Sequence, residues 1–355
     1  MVDPRVSEYA RLLVSRCIDA RPDWQVVIRT DPPARPLVEE LEHELALRGA
    51  YALVRVRFPG ERWARAAPLE LLSVPAGVDR YMYEHADAWI EILAPENTRD
   101  RSVLGEDRVT AGERARAEFR RRQTSLELRW VGCCFPTQAQ AQDADMTLPE
   151  FEDFLYAACL LDWDAEAERM ARYKERFDRA VEVRVVGSGT DIRFGLDGRE
   201  GMVDDGKLNL PGGEFFYSPE EEATEGVIEF SEFPATHSDH VCDGVRLRFE
   251  SGRVVDAAAQ TGEDYLLSQL DADEGARVVG ELGIGCNPSI TRHMRHTLFD
   301  EKMDGTIHIA LGAGFPFLGG RNESVLHWDM VKSLRDGGAI ELDGAPVQQN
   351  ARWLI

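Results

Sequence analysis

The sequence predicts an α/β N-terminal domain with a largely parallel sheet, followed by a mixed α+β domain rich in strands. Three observations lead there. Helical and strand periodicities alternate through residues 1–180, the pattern of a sheet flanked by helices. Beyond Ala180 the signals become short alternating runs separated by glycine turns, which suit hairpins better than crossover units. The length, 355 residues with 43% hydrophobic content, is enough for two cores at roughly 150 residues per domain. The domains are expected at 1–180 and 181–355.

In the first domain, residues 6–17 carry apolar side chains at helical spacing, 24–29 read as a strand, 36–48 as a helix and 51–58 as a second strand. A helix at 69–84 leads to a strand at 88–93, and 126–133 supply a fourth. Residues 108–122, dense in arginine and glutamate, suit a solvated helix with i to i+4 charge pairs. A charged helix over 148–181 closes the domain. No GxGxxG follows any of these strands, so no dinucleotide site is predicted. In the second domain, strands are expected at 181–186, 190–194, 226–233, 245–250 and 253–258, and a helix at 260–270. Ser251-Gly252 supplies a tight turn between the last two strands.

Composition excludes several partners. The formal charge is −23, from 64 acidic against 41 basic residues, so the summed field repels nucleic acid and anionic membranes. No stretch approaches the roughly 18 apolar residues of a membrane helix, and MVDPRVSEYARLL lacks a basic segment followed by an apolar core, so a cytoplasmic protein is expected. Lys174, Lys207, Lys302 and Lys332 are the only lysines. That arginine skew on an acidic surface is the composition expected of a halophilic, salt-filled cytosol. Six cysteines without Cys-x-x-Cys spacing read as reduced thiols, and Cys286 as a small buried hydrophobe.

The stretch 280–330 gathers Glu281, Glu301, His308, His327 and Asp329 between apolar runs and glycine turns, and Glu214 lies upstream in LNLPGGEFF. Imidazole and carboxylate donors without thiolate suit Zn, Co and Mn. Strand alternation puts His327 and Asp329 on one face with Trp328 on the other, and sets His308 opposite Ile307 and Ile309. Each residue has a plainer alternative. Glu214 could cap a turn, Glu281 could pair with an arginine, Glu301 could face solvent and His308 could be a hydrogen-bonded core histidine. Two other histidine sets compete: His293 with His296, whose arginine neighbours repel a cation, and His237 with His240 and Asp239.

In matching order, NLPGGE, GELGIG, LFDEK, GTIHIALG and GGRNESVLHWDM resemble the motifs of the M29 family of metal-dependent aminopeptidases, the aminopeptidase T group. The N-terminal half is similar mainly in layout, through MTLPEFEDF and GSGTDIRF. The resemblance implies that Glu214, Glu281, Glu301, His308, His327 and Asp329 bind two divalent metal ions, and that the substrates are peptides with a free N-terminus. Six ligands on two ions require a bridging carboxylate. Glu281 and Glu214 are the candidates for moving a proton from nucleophile to leaving amine. The resemblance also implies a homodimer, for which the open edge of a short-stranded second domain gives a separate reason. Two departures stand out. Phe315 occupies a position where the family commonly carries tyrosine, and the spacer from Glu301 to His308 is longer than in the bacterial members. Without that hydroxyl, the alternative is a metal-binding homologue that is non-catalytic or differently specialised.

Overall fold

Val26, Val27 and Ile28, and Trp89, Ile90 and Ile92, put apolar side chains on both faces of their strands, which leaves neither face free for water. In the computed structural model they lie in two of the three inner strands of a parallel sheet, at 0 to 1% exposure for Val26, Val27, Ile28, Trp89, Ile90 and Ile92. The sheet runs Tyr51–Val56, Gln25–Thr30, Ala88–Leu93, Arg129–Cys134 and Asn209–Leu210, every pair parallel. The structure describes residues 3–58, 60–100, 103–237 and 240–355. They fall into two units, Met1–Leu160 with Gly206–Pro211 and Leu161–Asp205 with Gly212–Ile355. Among the described residues, no helix is long and apolar enough to cross a membrane.

Several helices are shorter than their periodicity predicts. The 148–181 run divides into Leu148–Cys159 and Trp163–Phe177. Thr147 and Glu150 form a capping box on the first, and the Asp162 side chain accepts a 3.1 Å bond from Ala165 N to start the second. Met170 and Phe177 of the second helix are buried in the core of the second unit. The division therefore comes at Leu160 rather than near 180, and residues 206–211 return to the first unit as its fifth strand. The 69–84 run becomes Leu69–Leu72 and Gly77–His85, because Pro75 between them has no N–H to continue a helix. The 108–122 run breaks at Arg116 into Glu106–Ala115 and Ala117–Thr124.

Among its described residues the second unit holds two large antiparallel sheets and a two-stranded pair, Ala235–His237 with His240–Cys242. The larger has eight strands and includes the predicted hairpin, Val245–Glu250 with Arg253–Ala258; Ser251 and Gly252 both take positive φ, 48° and 78°, as a tight two-residue turn requires. The smaller is ordered His327–Ser333, Thr306–Gly312, Val279–Gly285, Glu214–Tyr217 and Met202–Asp204. One core joins them: Val185, Ile192, Phe194, Ile228 and Leu247 come from the larger, and Phe215, Leu282, Ile309 and Trp328 from the smaller. Both parts of the expected fold class are present, a parallel α/β layer and a strand-rich second domain.

Candidate metal centre

The histidines and acids singled out in the sequence converge on one face of the smaller sheet, and the strand register makes room for them. His308 lies opposite Gly283, Glu214 opposite Gly285 and His327 opposite Gly312. Ala310 stands between Glu281 on one neighbouring strand and Asp329 on the other. Each of these side chains therefore faces a residue with little or no side chain. Gly283 is the tightest case, since a Cβ there would overlap the His308 imidazole. On the opposite face Leu282, Ile284, Ile307, Ile309 and Trp328 enter the core. The alternation read from 306–311 and 325–329 is thus realised.

His308 Nε2 lies 3.4 Å from Glu281 Oε1 and 3.4 Å from Glu214 Oε2. His327 Nε2 lies 3.2 Å from Glu281 Oε2 and 3.8 Å from Asp329 Oδ1. Two donor groups result, Glu214–Glu281–His308 and Glu281–His327–Asp329, with the atoms of each group within 4.8 Å of one another. They share Glu281. Glu214, Glu281 and His308 are buried, whereas the His327 side chain is 35% exposed and marks the open side. Glu214 Oε2 and Asp329 Oδ1 are buried with no hydrogen-bond partner, a costly state for carboxylate oxygens that a cation would relieve. Nitrogen and oxygen donors without sulfur fit Zn, Co or Mn.

Glu301 is placed differently from the other five. It lies at the end of the short helix Thr297–Asp300, outside both donor groups, and contacts Lys302. Lys302 is fully buried, donates a 3.0 Å bond to Glu214 Oε1 and lies 3.7 Å from Asp204 Oδ2. Lys302 and Asp204 escaped the sequence reading. The signal for the first was available, because LFDEK contains one of only four lysines in the chain. Ser218 was missed as well: its Oγ accepts from Phe315 N and donates to Gly280 O, both at 2.8 Å. That pair of bonds fixes Phe315, whose ring lies 5.5 Å from His327 and 5.4 Å from Phe216.

The competing histidines have other partners. His293 stacks on Phe233 and sits 3.2 Å from Asp300, whose carboxylate also accepts from Met294 N and His296 N. His237 Nδ1 lies 2.8 Å from Tyr265 Oη, and His240 stacks on the same tyrosine. Asp239 lies outside the described residues. Cys286 is a buried core residue, as expected.

Burial and histidine–carboxylate contacts set protonation in the metal-free centre. Burial would lower the proton affinity of His308 and His327, but for His308 the bond to Glu281 and the charges of Glu214 and Glu281, and for His327 the charge of Asp329 and the bond to Glu281, raise both to about 10. Burial lifts Glu214 to about 8 against the pull of Lys302, and lifts Asp329 to about 6 against His327. Glu281 goes the other way, to about 2, because hydrogen bonds from the two histidines outweigh its burial. For Glu214 and both histidines the folded value exceeds the ordinary one. Their stabilising effect is therefore complete below their ordinary pKa values and is lost as pH rises through the folded ones.

The metal-free protein is accordingly expected to lose thermal stability steadily from pH 7 to pH 10, with the loss suppressed by a saturating divalent ion, which binds only neutral imidazole. Melting curves of chelator-treated protein across that range check it; a flat profile contradicts the assignment. Gly283→Ala is expected to displace His308 and reduce Co²⁺ binding by at least about tenfold, to be read by titration of the chelator-treated protein.

Comparison with known proteins follows the same lines. Residues 2–348 match the family described as thermophilic metalloprotease (M29). Aminopeptidase T of Thermus aquaticus is 33% identical over 201 residues, and the match spans about half of each protein, 48% of this chain and 48% of that relative. Aminopeptidase 2 of Geobacillus stearothermophilus is 24% identical over 416 residues, covering 99% of this chain and 98% of the relative. The solved structure of wild-type AmpT from Thermus thermophilus shares the fold, with a TM-score of 0.86 at 22% identity and 99% of each chain covered. Its fold, the donor set on one sheet face and the family match over residues 2–348 agree: the chain belongs to the M29 metallopeptidase family.

Proposed function

We propose that this protein is a metallo-aminopeptidase that removes N-terminal residues from peptides with a free N-terminus. Two divalent ions, Zn, Co or Mn, would be held by Glu214, Glu281, Glu301, His308, His327 and Asp329. The observation that carries this reading is the pair of donor groups sharing Glu281 in a member of a metallopeptidase family. The donor set itself supports cation binding: Glu214, Glu281, Glu301 and Asp329 gather in one place, with Lys302 against Glu214 and Glu301.

When bound by these residues, divalent ions would supply Lewis-acid polarisation of a scissile carbonyl and a water of lowered pKa. The chain's own residues then have distinct tasks. Glu281 presents one oxygen towards each histidine, which suits the bridging ligand. Proton transfer is assigned to Glu281 and Glu214. Glu214 is buried beside His308 and Lys302, within reach of the donor groups. Phe315 beside His327 offers a substrate an apolar wall and no hydroxyl, so polarisation of a carbonyl receives no help from that position. A homologue that keeps the ions but is non-catalytic or differently specialised is the second reading, and Phe315 is the observation behind it.

Chelator-treated protein is expected to regain hydrolysis of aminoacyl p-nitroanilides on addition of Co, Zn or Mn. His308→Ala and Asp329→Ala should each lower bound metal below about two ions and reduce kcat/KM by at least about a hundredfold. Wild-type metal content in both variants overturns the ligand assignment. A wild type that binds ions and cleaves no aminoacyl anilide favours the second reading.

We also propose a cytoplasmic homodimer adapted to high salt. The strand Tyr51–Val56 supports association: it is a sheet edge whose Tyr51, Leu53, Val54 and Val56 are 37 to 57% exposed, an apolar edge of the kind that proteins cover. The charge of −23 supports salt dependence, because the Debye length falls from about 10 Å at 0.1 M to about 3 Å at 1 M. Sedimentation across that range of KCl is expected to give a dimer with a rising folded fraction. A monomer at micromolar concentration, or full stability at low salt, contradicts it.

A further inference from the structure

We propose that Lys302 is a positioning residue of the centre, fixing Glu214 so that one named oxygen is available to an ion. This rests on the metal-centre reading above. Two lysines are fully buried, and they differ in what surrounds them. Lys332 donates to Ser188 O at 2.9 Å and Glu232 Oε1 at 2.8 Å, one acid and one carbonyl. Lys302 has three carboxylates around its ammonium: Glu214 Oε1 at 3.0 Å, Asp204 Oδ2 at 3.7 Å and Glu301 Oε1 in direct contact. Two of those three belong to the proposed ligand set.

The geometry around Glu214 divides its oxygens. Oε1 accepts from Lys302, while Oε2 has no hydrogen-bond partner and lies 3.4 Å from His308 Nε2. A carboxylate held this way turns Oε2, the oxygen with no competing donor, towards a cation beside His308. The backbone enforces the same placement from below. Asn287 N donates to Lys302 O at 2.8 Å, and Asn287 Nδ2 donates to Gly212 O at 2.9 Å, so the lysine segment is tied to the Pro-Gly-Gly turn that presents Glu214. Gly213, at φ 111°, leaves no space for a Cβ against Asn287. Lys302 thus links Glu214, on its own strand, with Glu301, at the end of a helix, and neither reaches the other through the sheet.

A lysine that served only as a positive charge would weaken cation binding, and its removal would tighten it. A positioning lysine has the opposite signature, and loss of partners that orient metal ligands costs affinity by about 10 to 100-fold. Chelator-treated full-length protein and its Lys302→Met variant are titrated with Co²⁺ alone, by calorimetry and by visible absorption, with far-UV circular dichroism on both. The expected result is a folded Lys302→Met variant that binds Co²⁺ at least tenfold more weakly with an altered absorption spectrum. Equal or tighter binding with the wild-type spectrum overturns the proposal. If the methionine variant does not fold, Lys302→Arg decides: weaker binding and a changed spectrum support positioning, and wild-type behaviour shows that charge alone suffices. A wild type that binds no Co²⁺ instead removes the metal-centre reading itself.

Discussion

The dominant constraint on the second unit is electrostatic. Glu214, Glu281, Asp329 and Asp204 are buried or nearly so, with Glu301 beside them, and Lys302 lies against Glu214, Asp204 and Glu301. Carboxylates taken from water without compensation are costly, so such a cluster persists only if protons or cations neutralise it. In the metal-free state the protons do so: they stay on His308 and His327 to about pH 10 and on Glu214 to about pH 8. The same groups must release protons to become ligands. Proton and ion therefore compete for one set of atoms.

The sheet that carries this cluster is specialised on its two sides. One face uses the ordinary apolar logic of a packed β-layer, with Leu282, Ile309 and Trp328 in a core shared with the larger sheet. The other face sets glycine or alanine on at least one neighbouring strand opposite each of Glu214, Glu281, His308, His327 and Asp329. In most strands such glycines would weaken the element. Here they leave the space that His308 and its neighbours occupy, and at Gly283 the strand pairing continues on both sides. Function and stability are thus separated by side-chain alternation within the same four strands.

The first unit shows the complementary case, a parallel layer whose inner strands bury Val26, Val27, Ile28, Trp89, Ile90 and Val131 and whose outer strand, Tyr51–Val56, is exposed. The donors of the candidate centre all come from the second unit. The α/β layer by itself implies no chemistry, which accords with the absence of a phosphate-binding glycine pattern in the sequence.

Much of this was legible before the fold. Period-2 alternation decides the face of His308 and of the His327–Asp329 pair, because side-chain direction in a strand is a local property. The Ser251-Gly252 turn was equally local, since positive φ at both positions favours such residues. Helix lengths were less legible: apolar periodicity continues across Pro75 and Asp162, while caps and missing donors end the helices there. Membership of Trp163–Phe177 in the second unit depended on where Met170 and Phe177 found their core, which no local pattern encodes. The site divides in the same way. Residue types and spacing alone determined which side chains could be ligands, but strand pairing between distant segments decided that Gly283 would yield its space to His308. Tertiary structure alone brought Lys302 between Glu214 and Glu301, because a buried charge acquires its role from neighbours 88 residues away in the chain as much as from those beside it.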